Sequence, residues 1–367
     1  MTMIEYTKYT DKYFLRSKEI LQAENINPKV RYQVFARQDG VAYGVDEAVR
    51  FIGSKAKVFA LRNGQSFVSG EPLLKYEGYA QDLIDLETVV LSMISGALTE
   101  AFDIGEVRTN ARAIRAAAGD KYLYYFGARH FASEFDAEIS RVCQQEGFTG
   151  CSTDIGSEAW EDAEGIGTVP HALVIIYATH MKENNIEGNP TVLSFRAFDK
   201  HIDPSVPRIM LIDTFNKEID DSLECARAFG VKLDGIRIDT CGENHPQTKT
   251  KFPPINVDVP EKYLSGRGVT IRGVSEIKLF LIKAGYSHVK LFLSSGFNAE
   301  KITAFIKADK IFEQQYGYPL FAGIGTGSIV QTVTTTADIV AYKGNGQWTP
   351  FSKVGRGEVS FDRLEEV

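Results

Sequence analysis

A chain of 367 residues, 44% hydrophobic and 24% charged, has the make-up of an ordinary soluble globular protein and is long for a single core, so two packed regions are expected. Its net charge of -7 supplies no global basic field for nucleic acid or an acidic membrane, which leaves any phosphate binding to a local cationic pocket. No stretch approaches the roughly 18 apolar residues of a membrane span, and residues 1–15 lack the apolar core of a secretory leader. Cys143, Cys151, Cys225 and Cys241 lack the CxxC spacing of a zinc ribbon and fit reduced thiols in a cytoplasm.

In chain order, residues 57–61 and 72–76 read as strands, with Gly64, Gly70 and Gly78 marking turns. The spacing of Leu83, Leu86, Val90 and Met93 predicts a helix over 82–94. An aromatic strand over 122–126 follows. Four apolar runs then end in polar or glycine residues: 209–213 before Thr214, 235–239 before Thr240, 289–293 before Ser294-Ser295-Gly296, and 320–324 before Gly325-Thr326-Gly327. Helical patterns over 217–229, 273–284 and 299–312 follow the first three. Strands buried on both faces, alternating with helices, describe a parallel α/β barrel with its chemistry at the strand ends. Residues 338–342 and the turn Gly344-Asn345-Gly346 predict a closing hairpin that packs back on the N-terminal region.

Four constellations carry chemistry. Arg129, just beyond Phe126-Gly127, offers a guanidinium fork for carboxylate or phosphate, and Phe126 a face for a planar ring; a surface Arg and a core aromatic are the plain alternatives. In Gly165-Ile166-Gly167-Thr168-Val169-Pro170-His171, a loop histidine enters an apolar helix and is a candidate base, phosphate ligand or phosphorylated nucleophile, although most single histidines are none of these. Asp213 and Asp239 end separate strands, with Arg237 on the same strand face as Asp239, a pattern suited to a sugar, a metal or a developing positive charge. Ser295, Gly296, Gly325, Thr326 and Gly327 leave bare backbone where late barrel strands hold phosphate.

Together these residues resemble the nicotinate phosphoribosyltransferase family, the type II phosphoribosyltransferases. The likeness runs in family order through Thr10-Asp11-Lys12-Tyr13, Gly70-Glu71-Pro72-Leu73-Leu74, Glu77-Gly78, Ala117-Ala118-Gly119, Phe126-Gly127-Ala128-Arg129, Gly167-Thr168-Val169-Pro170-His171, Ile212-Asp213-Thr214, Arg237-Ile238-Asp239-Thr240, Ser295-Gly296 and Gly325-Thr326. It implies an irregular TIM-like α/β barrel over 119–330, an N-terminal α/β sandwich over 1–118, and C-terminal strands over 331–367 that complete the sandwich.

The resemblance further implies a head-to-tail homodimer with shared active sites. Tyr13 would come from the partner subunit and stack a pyridine ring against Phe126, while Arg129 and Arg237 bind acidic groups. Thr168 and Ser295 join the substrate contacts, and Gly296, Gly325, Thr326 and Gly327 the 5-phosphate cradle. The implied reaction converts nicotinate and phosphoribosyl pyrophosphate to nicotinate mononucleotide and pyrophosphate, with Mg2+ on the leaving group. ATP is the co-substrate that phosphorylates His171. Asp213 and Asp239 are the expected ribose, metal or charge-stabilising carboxylates.

Several positions depart from the family pattern. Thr109-Asn110 lacks a lysine, His130 replaces a second arginine, Ala132 replaces a histidine, and the segment 150–165 is short, which blurs the assignment of Asp154 to a ring contact. These departures keep nicotinamide in view as the pyridine, along with a non-catalytic phosphoribosyl-binding relative. Quinolinate fits less well, because a dicarboxylate asks for more cations around Arg129.

Overall fold

The computed structural model describes residues 6–99, 102–160 and 164–367; the first five residues of the N-terminal stretch and residues 161–163 of the short segment lie outside this description. Two sheets organise the chain. One is antiparallel, with strands in the spatial order Gln347–Pro350, Thr335–Gly344, Lys29–Ala36, Pro72–Tyr79, Lys57–Ala60 and Glu365–Glu366. The C-terminal strands thus flank the N-terminal ones on both sides. Asn345 and Gly346, both at positive φ, make the two-residue turn that joins Thr335–Gly344 to Gln347–Pro350, as this pair of residues favours.

The other sheet is parallel and curled, in the order Gly150–Cys151, Tyr122–Tyr125, Gly323–Thr326, Lys290–Leu293, Gly235–Ile238 and Ile209–Leu211. Its ends, Gly150–Cys151 and Ile209–Leu211, do not pair with each other, so the barrel is irregular and open there. In chain order the helices His171–Asn184 and Pro190–His201 fall between those two strands; they pack together, and the first also touches Thr335–Gly344 of the antiparallel sheet. His171 therefore begins a helix wedged between the two layers.

Most apolar runs become the elements their patterns imply, with instructive differences. The helix over 82–94 is two, Ala80–Leu83 and Glu87–Leu98. The last barrel strand is Gly323–Thr326 rather than 320–324, so Gly325 and Thr326 lie within it. Glycine weakens a strand, but here a Cβ on Gly325 would collide with the Phe126 ring and one on Gly323 would crowd Tyr122 and Phe292. The helix Ile104–Ala118 packs on Asp136–Gln145 and Ala299–Tyr316, so the helical shell of the barrel begins before residue 119. Caps fix the later helices: Thr270 Oγ1 accepts from Gly273 N, and Asn298 Oδ1 accepts from Lys301 N.

Candidate active site

A cavity of about 850 Å³ opens at the C-terminal ends of the barrel strands, against the antiparallel sheet. Tyr13, Phe126, Arg129, His171, Arg237, Asp239, Ser295, Gly296, Gly325, Thr326 and Gly327 all line it. Among the described residues its lining holds eight Arg and Lys side chains against four Asp and Glu, a local reversal of the negative net charge.

Two expected contacts do not reach the cavity wall. The Thr168 hydroxyl donates to the Ile209 carbonyl and thereby ties its loop to a barrel strand. Asp213 is fully buried behind the wall; its Oδ1 accepts from Asp239 N at 3.1 Å and its Oδ2 from Lys353 Nζ at 3.0 Å. It holds the groups that face the cavity. Asp154 is also outside the lining, paired to Lys12 at 3.0 Å, and so are Asn110, Thr109 and Ala132. Among the departures from the family pattern, His130 alone sits at the site.

At one end of the cavity a carboxylate-rich cluster surrounds Arg129. Its Nη1 donates to Glu87 Oε1 at 3.1 Å and its Nη2 to Asp11 Oδ2 at 2.7 Å and to the Tyr13 hydroxyl. Thr88 Oγ1 also donates to Asp11 Oδ2, at 3.0 Å. Burial, with Asp338 and Asp11 nearby, drives the Glu87 carboxyl well above its ordinary range. The resemblance brings Tyr13 from a partner subunit; here it lies in the cleft of its own chain, because Lys12 N bonds to Ser152 O at 2.7 Å and stitches its helix to the barrel. Its ring pairs with Phe14 at 4.6 Å, while Phe126 pairs with Tyr124 at 6.2 Å, so the two expected stacking partners face the same space without touching each other. Arg237 lies 5.5 Å from the Tyr13 ring, and its buried Nε has no hydrogen-bond partner among the described residues.

At the centre, His171 meets a lysine that no local motif announced. Lys353 Nζ lies 2.6 Å from His171 Nε2, and His171 Nδ1 lies 3.0 Å from Thr214 Oγ1. An ammonium only donates, so Nε2 accepts and Nδ1 carries the proton toward Thr214. Burial, then the charge of Lys353, pushes the imidazole below its ordinary pKa, with Asp213 and Asp239 pulling the other way. Asp239 Oδ2 lies 3.4 Å from His171 Nε2, and its Oδ1 accepts from Ser294 Oγ at 2.7 Å. Burial would raise its pKa, but the Lys353 and Arg237 charges outweigh that and hold it an anion. Conversely, burial would lower the Lys353 pKa, but Asp213 and Asp239 raise it.

At the other end, Ser295 and Gly296 both adopt positive φ, turning the chain sharply after its strand; a Cβ on Gly296 would meet only open space. Lys301 Nζ donates to Ser295 O at 3.0 Å, and burial, opposed by Asp239, lowers its pKa to about 8. Gly327 is small for a steric reason, since a Cβ would strike the His130 ring. His130 Nδ1 donates to Gly327 O at 3.0 Å, and burial lowers its pKa to about 4, so it serves this site as a neutral ring.

Sequence reasoning missed Lys353, Lys301, Glu87 and Asp338. Lys301 had a local signal, three residues after the N-cap Asn298 that follows the Ser-Ser-Gly turn. Lys353 had only Ser352-Lys353-Val354-Gly355-Arg356, a basic-glycine run far from every other motif.

Residues 9–97 match the family described as quinolinate phosphoribosyl transferase, N-terminal domain. The structure resembles nicotinate phosphoribosyltransferase from Porphyromonas gingivalis (11% identity, 94% of this chain and 92% of that chain, TM-score 0.66) and the enzyme of that name from Vibrio cholerae (14%, 92% and 88%, TM-score 0.64). A nicotinate-nucleotide pyrophosphorylase from Pyrococcus furiosus is 29% identical over 97% of this chain and 80% of that chain, at a TM-score of 0.45. The match over residues 9–97 covers the N-terminal part of the chain, and over nearly its whole length the chain shares the two-layer fold of these phosphoribosyltransferases.

Proposed function

We propose that the protein is a nicotinate phosphoribosyltransferase, joining nicotinate to the ribose of phosphoribosyl pyrophosphate in NAD biosynthesis or salvage. One observation carries this reading: a single cavity combines aromatic faces, strand-end Asp239 and an excess of cations around a bare serine-glycine turn. The pyridine nitrogen attacks the sugar carbon as pyrophosphate leaves. Asp239, held ionised, stabilises the positive sugar carbon, and the cations hold the phosphates. Asp213 orients Asp239 and Lys353 from behind.

Among the described residues no group of three or more His, Cys, Asp and Glu is close enough to hold a metal ion. Mg2+ would therefore bind mainly through diphosphate oxygens, with Asp239 the carboxylate within reach, and would neutralise the leaving group. ATP coupling would act at His171, whose Nε2 is the unprotonated nitrogen but is covered by Lys353, so phosphorylation requires that lysine to move aside. A homodimer and a cytoplasmic location complete the reading; the four buried free thiols agree with a reducing compartment, and no described helix is long and apolar enough to cross a membrane.

A second reading has its own support. Arg129 is ion-paired to Asp11 at 2.7 Å, which leaves that guanidinium little net charge for a ring carboxylate and favours the uncharged carboxamide of nicotinamide. Purified protein given phosphoribosyl pyrophosphate, Mg2+ and either pyridine, with and without ATP, separates these readings by which mononucleotide forms. No mononucleotide from either would sink the enzyme reading.

A further inference from the structure

The segment between the strand Gly235–Ile238 and the helix Ile271–Lys283 is long, with the short helix Glu261–Leu264 as its regular element. Connections of this length without structure of their own are usually functional. This one borders the cavity through Gly242, Lys262, Arg267 and Gly268. Glu243, within it, spans two regions of the fold. One carboxylate oxygen pairs with Arg37, which follows the strand Lys29–Ala36, and the other with Arg356 Nη1 at 2.6 Å, which follows Gln347–Pro350. Both arginines line the cavity.

The neighbouring residue reinforces the join. Asn244 Nδ2 donates to Val354 O at 2.7 Å, and its carbonyl accepts from Gly268 N at 2.7 Å. Gly355 must be glycine here, because its φ is +83° and a Cβ would collide with the Asn244 side chain. Arg356 also pairs with Asp338 at 2.9 Å, so it keeps a partner whatever Glu243 does. Arg37 and Glu243 are the more exposed members, with side chains 43% and 38% accessible, against 9% for Arg356.

Two guanidinium forks converging on one carboxylate form an arrangement that a diphosphate reproduces with more charge and more acceptor oxygens. Resting on the reading of the cavity as a phosphoribosyl pyrophosphate site, we propose that Glu243 is an internal latch: it holds Arg37 and Arg356 together at the cavity mouth and is exchanged for a diphosphate group of the ligand. The carboxylate keeps the forks from repelling one another while the cavity waits. On exchange, the segment around residue 243 loses its tie to the antiparallel sheet but keeps the Asn244–Val354 bond.

Inorganic pyrophosphate, titrated calorimetrically into the full-length protein, tests this. Glu243→Gln removes the competing charge and should lower the Kd for pyrophosphate about tenfold. Glu243→Asp keeps the charge but is too short to span both arginines and should also bind more tightly than wild type. A purely structural role would instead weaken binding, and an unchanged or higher Kd in Glu243→Gln overturns the latch. So does a Glu243→Asp variant that binds like wild type, since that leaves only diffuse charge; this variant also carries the test if Glu243→Gln fails to fold. Equal binding by all three proteins refutes the latch alone. Pyrophosphate binding to none of them refutes the cavity reading and the latch with it.

Discussion

The two ends of the cavity solve opposite electrostatic problems. Around Arg129, the Asp11 carboxylate, the Glu87 carboxyl and a hydroxyl surround one guanidinium, and the result is an aromatic recess whose arginine is already satisfied. Around Ser295, Lys301 stands beside an open turn and donates to a neutral backbone carbonyl, so its charge is left for a ligand. A cation count for the whole cavity misses this division. What matters to a ligand is which cations are already satisfied, because a neutralised arginine positions a ring while an unsatisfied one attracts an anion.

This contrast can be broken deliberately. The largest effect is expected between the two ends: Asp239→Asn should cut kcat by about a hundredfold or more while pyridine affinity changes little, because the carboxylate acts on charge that develops during reaction. Steady-state kinetics with both substrates varied would decide it, and a defect confined to pyridine KM would count against that role. His171→Ala should abolish ATP stimulation and spare ATP-independent turnover, read by mononucleotide formation with and without ATP; surviving stimulation would remove the phosphohistidine from the scheme.

At the recess end, Asp11→Asn should free part of the Arg129 charge and raise the nicotinate-to-nicotinamide ratio of kcat/KM by roughly tenfold. An unchanged ratio would mean that the ring substituent is read elsewhere. At the Ser295 end, Lys301 has a pKa lowered to about 8 by burial, so it is a cation below that pH and loses its proton above it. The KM for phosphoribosyl pyrophosphate should therefore climb severalfold from pH 7 to pH 9 in wild type and stay flatter in Lys301→Arg, whose guanidinium remains charged. The smallest effect belongs to Lys353→Met. Removing a charge that lowers the His171 pKa should move it upward by a fraction of a unit to about one unit, observable by NMR titration of the ring.

How much could be read from residues alone follows from how local each signal is. The strands Ile209–Leu211, Gly235–Ile238 and Lys290–Leu293 were legible because burial on both faces writes a continuous apolar run. The last barrel strand was misplaced because Gly325-Thr326 read as a loop, whereas the lack of a side chain at Gly325 makes room for Phe126 inside the strand. Asp213 and Asp239 were found by position, but only packing shows that one faces the cavity and the other stands behind it. Lys353 and Glu87 were illegible for a simpler reason: Lys353 reaches His171 from 182 positions away in the chain, and Glu87 meets Arg129 from 42. No window of neighbouring residues contains either pair.

The order of the strands also bears on how the molecule is made. The strand Lys29–Ala36 emerges early from the ribosome, yet its partner Thr335–Gly344 follows only after the whole barrel has been synthesised. Until then one edge of Lys29–Ala36 is left unpaired, a template for wrong pairing with other nascent chains. The same late stretch delivers Lys353 to His171. One late stretch of chain therefore both completes the sheet and completes the candidate site, and a polypeptide released before residue 335 would carry an open sheet edge and a histidine without its lysine.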